Sequence, residues 1–246
     1  MKWWIACLAV LVAFSGFAQE KGGAPATVVS DDFNDGIRNR LLWQKSAFDP
    51  STQLLEVNQR LYFSTGDEDL LDSTFALWRL KAARVLVDAD VLETTALISL
   101  PVYPSSEPGA VIRLGLLWTD PANAVNSVNF AVEMTPLLRT LFVSYGGSGG
   151  SGGVRRFTFP AGTRNLYLKL RYSCLTDKTT FFWRRPRDTV WTRLPFNIRL
   201  NTLWSVPFNS VSIKSALLAE SEGFWLQFDD DMYFDNFVLT HYMPPL

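Results

Sequence analysis

The sequence predicts an all-β fold, a two-sheet antiparallel sandwich or jelly roll, with a barrel as the alternative. Three observations lead there. Apolar residues alternate with period two in many short runs, clusters of turn residues separate those runs, and the helical stretches that link parallel strands are missing. The last observation excludes a parallel α/β fold. Of the 246 residues, 48% are hydrophobic, 14% aromatic and 19% charged. That composition can fill the two inner faces of a sandwich and is unlike that of a disordered chain.

In chain order, residues 1–18 come first. Lys2 precedes an apolar run from Trp3 to Phe14, followed by the small residues Ser15, Gly16 and Ala18 before Gln19. This is the pattern of a cleavable export signal, and the run is short for a membrane span. The expected location is secreted, periplasmic or at the cell surface, with no membrane span after the signal is removed. Residues 19–29 read as a flexible leader, 30–242 as the jelly-roll domain and 243–246 as a tail. Without residues 1–18 the chain keeps one cysteine, Cys174, so no internal disulfide can form. Its plainest role is that of a small buried apolar residue.

Alternation is clear at 85–92, 128–133 and 166–173. It sets Val128, Phe130 and Val132 on one face, and likewise Leu166, Leu168, Leu170 and Tyr172. Further strands are expected at 54–64, 111–118, 139–145, 154–159, 179–185, 189–194, 209–214, 223–228 and 232–240. Turn residues at 64–67, 104–109, 160–163 and 185–188 punctuate them. Residues 68–72 and 215–220 could each form one helical turn. The run GGSGGSGG (146–153) lies between two strands and reads as a flexible hairpin loop. It also satisfies the letters of two Gly-rich motifs, but both require a helix afterwards, and none follows.

Two segments carry a family resemblance: DDFNDGIRNRLLW (31–43) with EVNQRLYFSTG (56–66) near the start, and GFWLQFDDDMYFDNFVL (223–239) near the end. Together with ARVLVDADV, VIRLGLLW and NLYLKLRYSC in the middle, they resemble the concanavalin A-like lectin/glucanase superfamily, including its laminin-G-like modules. The resemblance covers nearly all of 30–242. It implies a jelly roll whose first and last strands lie side by side. It also implies a structural calcium, held in related glucanases by one acid of the opening motif and the Asp of the closing strand; the matching positions are Asp32 and Asp235. Calcium takes hard oxygen ligands. The alternative is a solvated acidic turn with Asp235 accepting backbone N–H groups. The fold hosts lectins, hydrolases, lyases and adhesion modules alike.

Catalytic patterns of the family are missing. None of the glutamates begins the E-x-D-x-x-E that places two carboxylates on one strand face. Glu133 stands on a strand without a partner acid, and Glu220 and Glu222 sit in the turn-like AESEG. The single histidine, His241, reads as solvated near the chain end. No zinc or P-loop pattern occurs.

Residues 155–199 hold eleven Lys/Arg and two acids, Asp177 and Asp188. A surplus of nine positive charges in one segment, interleaved with aromatic residues, suits an anionic polymer. The alternative is pairing with acids of neighbouring strands. For an exported chain the polymer is an acidic polysaccharide or cell-surface glycan, not nucleic acid. The expected ligand-binding residues are Trp118, Trp183, Trp191, Arg171 and Arg184, while Trp43, Trp78, Trp204 and Trp225 read as core. The functional expectation is an exported, non-catalytic carbohydrate-binding or cell-envelope interaction module. A structural or protein-interaction module, or a glycoside hydrolase or polysaccharide lyase with an unrecognised site, are the alternatives.

Overall fold

Period-two alternation puts every second side chain of each strand into a shared interior, and two sheets stack around it. The computed structural model describes residues 25–47, 52–65, 73–100, 106–207, 210–224 and 232–244. In chain order the elements are β1 (Pro25–Asp31), β2 (Trp43–Ala47), β3 (Gln53–Val57), β4 (Arg60–Ser64), β5 (Thr74–Leu80), β6 (Arg84–Leu86), β7 (Val91–Ser99), β8 (Ser106–Asp120), β9 (Asn123–Met134), β10 (Arg139–Gly147), β11 (Gly150–Thr158), β12 (Asn165–Ser173), β13 (Lys178–Arg184), β14 (Thr192–Ile198), the short helix α1 (Leu200–Trp204), β15 (Val211–Phe224) and β16 (Tyr233–Tyr242). Sheet I runs β14-β13-β12-β7-β16-β4-β3, with β1 also paired to β16. Sheet II runs β11-β10-β9-β8-β15-β5-β2, with β6 also paired to β15. All the pairings are antiparallel. The expected jelly-roll sandwich is what the chain forms.

The opening and closing motifs meet as the resemblance implies. Ser30 lies opposite Val238, and Asp31 opposite Phe237. Phe33, held at a φ of 53°, turns into the core. There it contacts Trp43 and Trp78, and Trp43 meets Phe237 edge-on with ring centroids 4.9 Å apart. Asp31 fixes this cluster, accepting Trp43 Nε1–H at 2.7 Å and the Phe33 N–H at 3.0 Å. The apolar area buried by four such rings, together with their edge-to-face contacts, makes this seam a major source of stability.

Several expected elements differ. The run 54–64 is a hairpin, β3 and β4, because Asn58 and Gln59 both adopt positive φ, the requirement of a two-residue hairpin turn. The run 85–92 breaks into β6 and β7: Asp90 N–H donates to Val87 O, and Asp90 Oδ2 accepts the Val87 N–H. The segments 209–214 and 223–228 belong in part to one long strand, β15. Residues 215–220 and AESEG are therefore strand; ladders to β8 on one side and β5 on the other over-rule their local turn and helix preferences. The segment 189–194 shifts to β14. Pro25–Val29, expected in a leader, pair with β16 as part of β1. Residues 1–18, the expected turn at 68–72 and Trp225 lie outside the described residues.

The glycine run is not a free loop. Its residues extend β10 and β11, and Gly147 pairs with Gly150. A Cβ on Gly147 would collide with the carbonyl oxygen of Leu203, and one on Gly149 with that of Thr202. The absence of side chains thus lets α1 seat directly on the hairpin. Ser148 completes the seat: its N–H donates to Asn126 Oδ1 at 2.8 Å and its hydroxyl to Trp204 O at 2.9 Å.

Candidate functional site

Two of the five expected ligand-binding residues are core. Trp118 is fully buried on the inner face of β8, and its Nε1–H donates to Thr94 Oγ1 at 2.8 Å. Trp183 is buried beside Phe159. In FFWRR, Trp183 shares the inward parity of Phe181, while Phe182 and Arg184 point out. Period-two counting could have placed Trp183 inside.

The other three expected residues come together on the outer face of sheet I. Arg184 lies opposite Tyr167, and Arg171 opposite Glu93. The 185–191 connection brings Trp191 over this face. Lys169 Nζ stands 4.4 Å and the Arg184 guanidinium 4.8 Å from the centroid of the Trp191 ring, and Arg184 is 5.0 Å from that of Tyr167. Tyr167 and Trp191 meet edge-on. Lys169 donates to Glu93 Oε2 at 3.2 Å, and Arg171 Nε is 3.6 Å from Glu93 Oε1. Arg184 Nη1 donates to Asp188 O, its Nε is buried without a partner, and it has no carboxylate partner among the described residues. The platform thus gathers Lys169, Arg171 and Arg184 beside Glu93, with Trp191 and Tyr167 half-buried rather than sealed. Tyr167 and Lys169 belong to the basic, aromatic segment 155–199 but not to the expected ligand-binding residues, and Glu93 lies outside that segment. The first two share Arg171's outward parity on β12, a signal available beforehand; Glu93 arrives through tertiary pairing alone.

The outer face of sheet II is different. Glu133 on β9 is buried and receives hydrogen bonds from Arg113 Nε at 2.8 Å and from Arg156. Both guanidiniums lie over Phe142. Arg113 also reaches Glu220, on β15, at 3.4 Å. Burial pushes the Glu133 carboxyl up, but the hydrogen bonds from Arg156 and Arg113 outweigh it and hold the group below its ordinary value. Two carboxylates and two guanidiniums cancel here. Glu133 is kept ionised by these two arginines, so it does not serve as the protonated acid that glycoside cleavage needs.

At the β1/β16 end, Asp32 is exposed and accepts Asn34 Nδ2 at 2.6 Å, while Asp235 accepts the Asn236 N–H. Burial raises the Asp235 carboxyl, and the Asp32 charge adds to the rise. Glu56 accepts the Gly36 N–H at 2.9 Å; burial, then the contact with Asp35, push it up to about 7. Among the described residues no three His, Cys, Asp or Glu side chains converge as a metal centre. A cation bound by Asp32 and Asp235 would therefore draw its remaining oxygens from carbonyls and water.

His241 is buried, contrary to the expectation of a solvated end. Its Nε2 lies 3.0 Å from Asp90 Oδ2, tying β16 to the turn before β7. Cys174 is buried as expected, and burial pushes its thiol up to about 12, far from a reactive thiolate.

No family model matches the chain, and no curated protein matches it. Solved structures do. Lectin II from Ulex europaeus aligns with a TM-score of 0.55 at 10% identity, over 89% of this chain and 100% of the lectin. The Ulex europaeus lectin I, solved with the methyl glycoside of α-L-fucose, aligns with a TM-score of 0.57 at 12% identity, over 87% and 98%. Xylan β-1,4-xylosidase from Bacillus halodurans aligns at 0.51 and 13% identity, over 87% of this chain and 39% of the xylosidase. Two stacked eight-stranded antiparallel sheets, with the first and last strands paired side by side in one of them and the whole superposable on these lectins, give this chain the concanavalin A-like jelly-roll fold.

Proposed function

We infer that the protein is an exported, non-catalytic carbohydrate-binding module that holds an anionic polysaccharide on the outer face of sheet I. The observation that carries this reading is the platform of Trp191 and Tyr167 over Lys169 and Arg184, with Arg171 alongside. Flat rings stack on sugars, guanidinium and ammonium groups draw acid groups, and the face carries surplus positive charge. Around Glu133, on the outer face of sheet II, the charges are compensated and Phe142 is buried beneath the guanidiniums. Lectins and a glycosidase among the structural neighbours are consistent with a carbohydrate partner.

Affinity electrophoresis through gels containing alginate, polygalacturonate, hyaluronan or chondroitin tests the reading. At least one polymer should retard the mature protein. Trp191→Ala and Arg184→Gln should each lose most of the retardation, whereas Arg156→Gln, on sheet II, should keep it. Retardation that is lost only in the sheet II variant would move the site to the other face. Export rests on residues 1–18; a protein recovered from the periplasm or medium should begin at Gln19. The calcium implied by the family resemblance is proposed at Asp32 and Asp235, where a cation would relieve the repulsion between the two carboxylates.

A further inference from the structure

We propose that Asp188 is a positioning residue of the sheet I platform, closing the 185–188 turn so that Arg184 and Trp191 stand in their binding geometry before a glycan arrives; this rests on the glycan-binding reading above. The sequence at 184–188 is RRPRD. Pro186 takes the second place of the turn, where its fixed φ favours the bend. Asp188 closes the bend through its N–H, which donates to Arg185 O at 3.0 Å. Its carboxylate then holds Arg185: Oδ2 accepts the backbone N–H at 3.1 Å and Nε–H at 2.8 Å, and Oδ1 accepts Nη2 at 2.9 Å. Such a two-pronged pair fixes orientation as well as position. The carbonyl of the same residue accepts Arg184 Nη1 at 3.1 Å. One residue thus secures the turn and the guanidinium that lies against Tyr167 and Trp191.

Only Thr189 and Val190 separate Asp188 from Trp191, and both are exposed. They bury too little apolar surface to fix the chain between the turn and the ring. Trp191 reaches its seat, with Lys169 Nζ 4.4 Å and the Arg184 guanidinium 4.8 Å from its ring centroid, because the turn delivers it there. A platform held ready does not lose binding free energy to ordering an arginine and an indole. The charge of Asp188 makes the inference testable by sign, since it is an acid beside cations that draw a polyanion. If charge alone mattered, neutralising it would free Arg185 and tighten binding. If Asp188 positions the platform, neutralising it weakens binding although the net charge becomes more positive.

The test is affinity electrophoresis of the mature protein and of Asp188→Asn, in whichever of the alginate, polygalacturonate, hyaluronan and chondroitin gels retards the wild type most. Asp188→Asn should raise the apparent dissociation constant about tenfold. The double variant Arg185→Gln with Asp188→Asn has the net charge of wild type and should weaken binding to a similar degree. In protein labelled with 5-fluorotryptophan, the fluorine resonance of Trp191, assigned by its loss in Trp191→Phe, should move in Asp188→Asn while those of the buried tryptophans stay in place. That readout needs no ligand, and melting midpoints within a few degrees of wild type establish that the variants fold. Unchanged or tighter binding by Asp188→Asn, or an unmoved Trp191 resonance, overturns the positioning role and leaves the glycan-binding reading standing. No retardation of the wild type in any of the gels overturns that reading and the binding role of Asp188 with it.

Discussion

The indole N–H of Trp118, on sheet II, donates to the hydroxyl of Thr94, on sheet I, at 2.8 Å, and Thr94 in turn lies 3.1 Å from Ser215 Oγ back on sheet II. This buried polar bridge crosses the sandwich and pins the stacking of β7 on β8 and β15. Trp118→Phe keeps the ring but removes the donor. It should cost about 1–3 kcal/mol in urea unfolding and leave polysaccharide retardation of the folded protein unchanged. Loss of retardation without loss of stability would return Trp118 to the ligand site.

Acidity should stabilise the β1/β16 end. Glu56 has its folded pKa raised to about 7 from 4.5. A carboxyl raised on folding binds its proton more readily in the native state. Stability is therefore greatest below the unfolded value and declines as pH climbs from 4.5 through 7. The partner Asp35 is lowered, chiefly by its hydrogen bond with Glu56, and is fully exposed, so it only softens the trend. Glu56→Gln should flatten the pH dependence of the melting midpoint over this window; an identical slope in the variant would refute the assignment.

The glycine hairpin gives a paired test. Gly150 has open space where a Cβ would be, whereas at Gly147 a Cβ meets the Leu203 carbonyl. Gly150→Ala should leave the melting midpoint nearly unchanged, while Gly147→Ala should lower stability by about 1–3 kcal/mol through overpacking. Equal effects would mean that α1 is not seated there.

Binding on the sheet I platform should be salt-sensitive. Three cations facing a flexible polyanion predict that affinity falls on the order of 100-fold for a tenfold rise in salt. Arg184→Gln should make the slope shallower. A salt-independent affinity would point to neutral sugar recognition instead.

Calcium at Asp32 and Asp235 should show in melting curves. A ligand present at about 100 times its dissociation constant adds about 2.7 kcal/mol, so millimolar calcium should raise the midpoint and a chelator should reverse the rise. Asp235→Asn should abolish the response. Identical curves with and without chelator would remove the ion from the seam.

Alternation by itself determined an all-β chain with a shared interior. The inward parity of Leu166, Leu168 and Leu170, and of Val128, Phe130 and Val132, follows from a period of two and needs no partner strand. The opening and closing motifs foretold the β1/β16 seam through the family resemblance they carry. Arg171, Arg184 and Trp191 were legible as a basic, aromatic segment. What only the tertiary structure decided is which groups face one another. Glu93 sits 76 positions before Lys169, and it neutralises one of the platform's charges only because β7 pairs with β12. His241 is buried for the same kind of reason, since its carboxylate partner, Asp90, arrives from a distant turn. Trp118 looked like a strand-end aromatic until the second sheet covered it. Side-chain parity is a local property of a strand, whereas charge compensation and burial depend on strands brought together from far along the chain.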